Sequence, residues 1–158
     1  MTRSDIHATF AKRFAKSPRK PVAPVSLDDI HAAEKKVSTV FPASFVAFLS
    51  AHGAVYTPEI LDLVVAAQES GPKDFEGWDV ATFFVPSEIH TTHALYTKGG
   101  MNESVIPFAS DSSGNVFGFR RSPASADDAA VLFFDHDFCE VHVEADSFDG
   151  WIERFLTL

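Results

Sequence analysis

A chain of 158 residues, 46% of them hydrophobic and sixteen of them phenylalanine, is long enough to bury a core without the help of a metal or a disulfide. Its net charge of −9 disfavours binding to the phosphate backbone of nucleic acid, and no apolar run reaches the roughly 18 residues that a membrane span needs. The single cysteine, Cys139, excludes an intrachain disulfide and the N-terminus lacks a secretory signal, so we expect a soluble, cytoplasmic protein with one main domain.

The first residues predict a short basic helix. Ile6, Phe10 and Phe14 recur at a spacing of four residues, which is typical of an amphipathic helix. Residues 1–24 carry six basic side chains and one acid, whereas the rest of the chain carries seven basic and twenty-one acidic side chains. Prolines then interrupt the chain and indicate a linker. We therefore divide the sequence into a basic N-terminal helix with a proline-rich linker, residues 1–24, and a domain of residues 25–158.

Two further helices are predicted at the start of that domain. Ser26 is a favourable N-cap, and the two aspartates after it suit the first turn of a helix that ends before Pro42. Pro42 can open a second helix, which Gly53 ends. A less regular helical segment starts near residue 57 and is predicted to end at residues 71–72.

The second half of the chain is predicted to consist mainly of strands. A strand over residues 79–85 and a helix capped by Ser87 come first. Four strands joined by short turns follow, at residues 105–109, 115–120, 131–135 and 139–145. Ser147 then caps a last helix. Because helices and strands do not alternate, we predict a single α+β domain: a mainly antiparallel sheet flanked by N-terminal helices and a closing C-terminal helix.

The polar segment between the first two of those four strands, residues 111–115, could be a calcium loop, a nucleophile elbow or a turn. A calcium loop starting at Asp111 needs glycine at its sixth position and glutamate at its twelfth, where this chain has Val116 and Ser122. The spacing of a nucleophile elbow is also absent. Asp111, Gly114 and Asn115 are common turn formers, so we predict a hairpin turn.

Four short motifs follow one another along the domain. The segment "IHAAEKKV" carries an acid, Glu34, inside the first helix, and "FPASFVAFLSAHG" carries Pro42 and the pair His52-Gly53. The segments "VIPFASDSSGNVFGF" and "DHDFCEVHVEADSFDGWIERFL" contain the central hairpin and the closing strands and helix. Together, over about residues 25–158, these motifs resemble the SUKH superfamily, which includes yeast cell-wall assembly regulators and bacterial immunity proteins and usually has Asn-Gly in place of His52-Gly53.

This resemblance implies a compact α+β fold that acts by binding protein partners, without enzymatic activity, and we expect no cofactor. Bacterial members neutralise toxins, often nucleases or deaminases, by binding them. The binding surface differs between members, so the resemblance assigns no site residues to this chain.

The densest acidic region offers candidate partner-binding residues. They are Asp127, Asp128, Asp135, Asp137, Glu140 and Glu144. Such a region is either a solvated face that keeps the domain soluble or a patch that steers a cationic partner and pairs with its arginines and lysines. Our leading hypothesis is an immunity protein that occludes a basic toxin domain with this acidic surface. The alternative is an intracellular regulatory or scaffold domain with the same fold.

A metal-dependent hydrolase is a further alternative. His136, Glu140 and His142 are residue types that bind zinc, and even-numbered residues share one face of a strand. Four residues along a strand span about 13 Å, however, which is too far for one ion unless the turn folds His136 back. His90 and His93 are typical of surface residues. Because acids surround Cys139, we do not expect it to be a nucleophile.

Overall fold

The computed structural model describes residues 1–17, 23–70 and 75–158. The helices within these ranges are α1 (Arg3–Phe14), α2 (Leu27–Val37), α3 (Ala43–His52), α4 (Ile60–Ser70), α5 (Pro86–Lys98) and α6 (Phe148–Phe155). The strands are β1 (Thr82–Phe83), β2 (Val105–Ser110), β3 (Val116–Arg120), β4 (Val131–Asp135) and β5 (Glu140–Ala145). None of the helices in these ranges is both long enough and apolar enough to cross a membrane.

The five strands form one antiparallel sheet in the order β1-β2-β3-β4-β5, so each strand pairs with the next one in the chain. This arrangement, with helices packed against it, confirms the predicted α+β class. The predicted C-terminal end of α4, at residues 71–72, lies outside the described residues. So does most of the predicted linker, residues 18–22.

Two local predictions are wrong. The strand predicted over residues 79–85 is only two residues long, because its backbone divides its hydrogen bonds between two neighbours: the Ala81 N–H donates to Ser110 of β2, whereas the Phe83 N–H donates to Val55. Helix α5 does not begin at a serine cap. Val85 occupies the N-cap without a side-chain hydrogen bond, because Pro86 already has the backbone angle of a first helical residue and needs no N–H there.

The main core lies between the sheet and helices α1, α3 and α6. Its centre is a cluster of aromatic rings, in which Phe108 stacks on Phe119 with centroids 4.4 Å apart and Phe117 lies 4.8 Å from Trp151. Because side chains alternate along a strand, Val116 and Phe134 point to the opposite face, into a smaller cluster beside Tyr96 of α5. The many phenylalanines therefore fill apolar clusters on both faces of the sheet.

Helix α1 packs directly on this core, although it lies in the segment predicted to precede the domain. Phe10 and Phe14 are completely buried, and α1 contacts both α3 and α6. At its N-terminus Arg3 forms ion pairs with Asp127 and Asp149, with N–O distances of 2.7 Å. The domain boundary at residue 24 stays a prediction, and a test of it is given in the Discussion.

Candidate functional site

The turn between β2 and β3 is a closed hydrogen-bonded loop, as predicted. One oxygen of the buried Asp111 carboxylate, Oδ1, accepts the backbone N–H groups of Ser113 (2.9 Å) and Asn115 (2.8 Å). Gly114 has a φ of 86°, which glycine adopts without the strain that a β-carbon would introduce. The carboxylate thus supports the turn, and this explains why an acid, a glycine and an amide follow one another here.

Asn115 connects this turn to the turn between β4 and β5. Its side-chain oxygen accepts the backbone N–H of His136 (3.0 Å) and the Nδ1–H of the His136 ring (2.7 Å), while its Nδ2 donates to Asp111. Asn115 is buried, so these bonds are protected from water. The two turns are therefore held together at one end of the sheet.

Residues 135–140, which we call the acidic turn, present an aromatic ring between carboxylates. The Asp135 carboxylate accepts the N–H groups of Asp137 (2.9 Å) and Phe138 (3.3 Å), and Cys139 adopts a left-handed φ of 52°. Phe138 is 74% exposed, and Asp137 and Glu140 are also exposed. In the part of the chain that the structure describes, no side chain forms an ion pair with Glu140. The backbone is thus ordered by internal bonds while the side chains face solvent.

The other predicted partner-binding acids lie at the opposite end of the β4–β5 hairpin. Asp135 pairs with Glu140 at one end of the two strands, whereas Val131 pairs with Ala145 at the other. Near that other end, Asp127 is exposed but is held by Arg3. The hairpin therefore separates the six acids into two groups.

Asp128 and Glu144 have their carboxylates engaged inside the domain. Asp128 accepts a hydrogen bond from the Ser44 hydroxyl (2.7 Å) and another from the backbone N–H of Phe148 (2.9 Å), so it joins α3 to the start of α6. The Glu144 side chain is only 6% exposed and pairs with Arg154 of α6 at 2.7 Å. Both residues hold the last helix in place.

The predicted metal ligands do not converge. The His136 ring is bound to Asn115, whereas Nε2 of His142 donates to Glu144 (3.0 Å) and its ring lies 5.1 Å from that of Phe133. Within residues 1–17, 23–70 and 75–158, no three His, Cys, Asp or Glu side chains are placed to hold one ion. His93 donates to the backbone oxygen of Glu103 instead.

A groove of about 460 Å³, which we call the Trp78 groove, lies beside the β2–β3 turn. Its lining includes Leu61, Val64 and Val65 of α4, Trp78 and Asp79 shortly before β1, and Ser112 of the β2–β3 turn. Burial raises the pKa of the Asp79 carboxyl above its usual range, and hydrogen bonds from Ser112 act in the opposite direction.

Residues 24–154 match the sequence model of the SMI1 / KNR4 family (SUKH-1), which is most of the chain. The protein belongs to this family. A search of curated proteins found no match to the chain. SUKH-1 proteins are non-enzymatic immunity or regulatory domains that act through protein–protein interaction, and the match makes this chain a protein-binding domain of that immunity or regulator type.

The positions that carry the family resemblance have structural roles in this SUKH-1 domain. One oxygen of Glu34 accepts the backbone N–H of Phe41 and the other contacts the His31 ring, both at 2.7 Å. Pro42 caps α3 in extended conformation, and Gly53 ends that helix with a φ of 80°. Glu34 and Pro42 thus fix the junction between α2 and α3, and Gly53 ends α3.

A buried histidine, His7, lies where α1 packs on the rest of the SUKH-1 domain. His7 lies between the rings of Phe48 and Phe148, and its Nε2–H donates to Asp149 at 2.7 Å. Burial lowers the pKa of the His7 imidazole, and the hydrogen bond to Asp149 opposes this effect without reversing it. His52, which packs on Phe48, also has its pKa lowered by burial.

We expect His7 to make the domain less stable in mild acid. Its pKa is lower in the folded state than in the unfolded chain, where it is about 6.5, so protonation favours unfolding. The penalty is absent well above pH 6.5 and grows as the pH falls towards the folded-state pKa. Chemical denaturation from pH 7.5 to 5 should therefore show a smaller loss of unfolding free energy in His7→Gln than in the wild type. His90→Gln, at an exposed histidine, is the control. If the unfolding free energies of His7→Gln and the wild type fall in parallel with pH, His7 is not the cause of the loss.

The sequence did not indicate the residues that define the acidic turn and the Trp78 groove as exposed features. Phe138 falls in the turn predicted between the last two strands and was assigned no binding role, although aromatic residues are frequent interface anchors. Trp78 and Asp79 lie in or beside a segment predicted to be a strand, and they meet Leu61 and Ser112 only through the fold. No local pattern indicates that groove.

Proposed function

We propose that this SUKH-1 domain is a cytoplasmic immunity protein that binds a basic toxin domain and blocks its active site without catalysing a reaction itself. The acidic turn would be the centre of the contact. The observation that carries the proposal is Phe138, a ring 74% exposed between the exposed carboxylates of Asp137 and Glu140. Interfaces typically gain most of their affinity from a few such anchors surrounded by polar groups.

The ordered backbone of the acidic turn supports this role. Hydrogen bonds to the Asp135 carboxylate and the connection through Asn115 hold the turn before any partner arrives, so little conformational entropy is lost on binding. The Sγ atom of Cys139 lies 3.7 Å from the Gly99 oxygen at the end of α5, which adds a second contact to the scaffold. A preformed projection of this kind suits insertion into a concave active site.

The charge of the acidic turn indicates the class of target. Toxins that act on nucleic acids, such as nucleases and many deaminases, have basic clefts that bind phosphates. Carboxylates that project from a protein surface can take the place of those phosphates, and they also accelerate the encounter of oppositely charged proteins. Asp127, Asp128 and Glu144 contribute to the overall negative potential, while their side chains stay in their internal pairs.

Family membership equally supports a regulatory protein-binding domain without a toxin partner. The genomic neighbourhood separates the two functions, because an immunity gene is expected beside a toxin gene. The direct experiment is a pull-down with the product of the adjacent gene. A stable complex that abolishes a toxin's activity supports the immunity function, and binding without such an effect supports a regulatory domain.

The double variant Asp137→Lys/Glu140→Lys should weaken the complex with the toxin domain by about tenfold, mainly through slower association, because it repels a basic surface. Surface plasmon resonance at increasing salt concentration measures this, and the wild-type association rate should fall as salt screens the attraction. The double variant Glu88→Lys/Glu153→Lys, with the same change of net charge on α5 and α6, is the control.

In the same measurements, Phe138→Ala tests the contribution of direct contact separately from that of long-range electrostatic attraction. It should accelerate dissociation and leave the salt dependence of association unchanged, whereas Leu27→Ala, an exposed leucine on α2, should change neither rate. Affinity that is indifferent to salt and to all of these acidic-turn variants excludes this surface as the binding site.

A further inference from the structure

The Trp78 groove has apolar walls that are partly open to solvent. Leu61, Val65 and Trp78 are each more than one-third exposed, an arrangement that soluble domains keep small unless it serves binding. The Trp78 ring is held in place, since it stacks almost parallel on Phe133 of β4 with centroids 4.9 Å apart. The wall of the groove is therefore preformed.

The groove is also lined by a buried carboxylate, that of Asp79. Asp79 is 5% exposed, and within the described residues its carboxylate accepts hydrogen bonds from the N–H (3.0 Å) and the hydroxyl (3.1 Å) of Ser112 and also interacts with its own backbone N–H. A carboxylate has about four acceptor positions, so these partners do not occupy all of them. Across the described residues no lysine, arginine or histidine forms an ion pair with Asp79.

The groove and the acidic turn are neighbours. Ser112 lines the groove, and two residues further on a β-carbon at Gly114 would lie 3.6 Å from the His136 ring. The β2–β3 turn therefore connects the groove to the acidic turn.

We propose that the Trp78 groove receives an arginine side chain of the protein partner. The guanidinium would bind the free acceptor positions of Asp79 and lie against the Trp78 ring, and the aliphatic part would cover Leu61 and Val65. Arginine fits better than lysine because its planar fork matches a carboxylate and stacks on aromatic rings. This inference rests on the proposed function only in requiring a protein partner, and it adds the residue by which that partner is recognised.

The first experiment uses the full chain and no toxin. Nα-acetyl-arginine amide is titrated at constant ionic strength while NMR follows the indole N–H signals of the two tryptophans. The Trp78 signal should shift to saturation, and the signal of Trp151, which is completely buried, should stay in place. The citrulline amide, a neutral side chain of the same shape, should bind about tenfold more weakly because it forms no charged pair with Asp79.

Variants locate the site. Asp79→Asn should weaken binding of the arginine amide by about tenfold, and Val65→Arg should abolish it because the new side chain fills the groove. Val65 is exposed, so this variant remains informative if Asp79→Asn does not fold. Val143→Arg, at an exposed valine on β5, is the control.

Three results overturn the inference. They are the absence of a shift of the Trp78 signal, equal binding of the arginine and citrulline amides, and equal binding of the arginine amide and the corresponding lysine amide. Because this assay contains no toxin, its outcome is independent of the proposed function. A groove that binds arginine in a protein that binds no toxin contradicts only the immunity function. If substitutions in the acidic turn weaken a toxin complex but the groove does not bind the arginine amide, only this inference is contradicted.

Discussion

Replacing Phe10 with alanine is expected to lower the free energy of unfolding by about 3–5 kcal/mol. The ring is completely buried, and its centroid lies 5.3 Å from that of Phe14, 5.9 Å from that of Phe155 and 6.0 Å from that of Phe48. Truncation leaves a cavity among rings from three helices, which cannot all move inward. Urea denaturation of the full chain measures the change.

Thr9→Ala, at an exposed position on the same helix, is the control and should change the unfolding free energy by less than about 0.5 kcal/mol. A loss below about 1 kcal/mol for Phe10→Ala contradicts the packing of α1 on the core. A chain that begins at residue 25 then tests the predicted domain boundary. We expect it to be much less stable than the full chain, because it uncovers Phe48 and Phe155, although the family match itself begins at residue 24.

Glu34→Ala is expected to lower the free energy of unfolding by about 2–3 kcal/mol, since it leaves the buried N–H of Phe41 without an acceptor. Glu34→Gln keeps an acceptor oxygen and should lose less. The exposed partner His31 adds little, because an ion pair in contact with water contributes little to stability. Thermal and urea denaturation of both variants, with Asp62→Ala as an exposed helical control, test this order.

Equal losses for Glu34→Ala and Glu34→Gln would mean that the charge of Glu34, and not its oxygen towards Phe41, stabilises the α2–α3 junction. No loss in either variant contradicts the role of this residue at the junction. The result also concerns the family, because an acid inside this helix is one of the features by which the chain resembles SUKH proteins.

Local patterns predicted most of the fold correctly. The N-cap Ser26, the opening Pro42 and the terminating Gly53 placed α2 and α3 nearly as observed, because caps and breakers act through neighbouring backbone groups. The turn at residues 111–115 was predicted for the same reason. The length of β1 was overestimated because it depends on which distant backbone groups accept hydrogen bonds from this strand.

The sequence did not indicate which of the candidate acids face solvent, for a related reason. Glu140 and Glu144 have the same charge and lie four residues apart, but the fold exposes Glu140 and brings Arg154 of α6 against Glu144. Asp128 likewise bonds Ser44, which is distant in the sequence. A count of acids cannot distinguish a free carboxylate from an engaged one.

The sequence by itself determined the α+β class, the order of most helices and strands, the turn between β2 and β3 and the family, since all of these depend on the spacing and type of residues along the chain. Only the tertiary structure decided which carboxylates face solvent, that α1 packs on the core and that Trp78 and Asp79 form a groove with α4. Burial and ion pairing are set by contacts between residues far apart in the chain, and such contacts exist only once the sheet and its helices have packed.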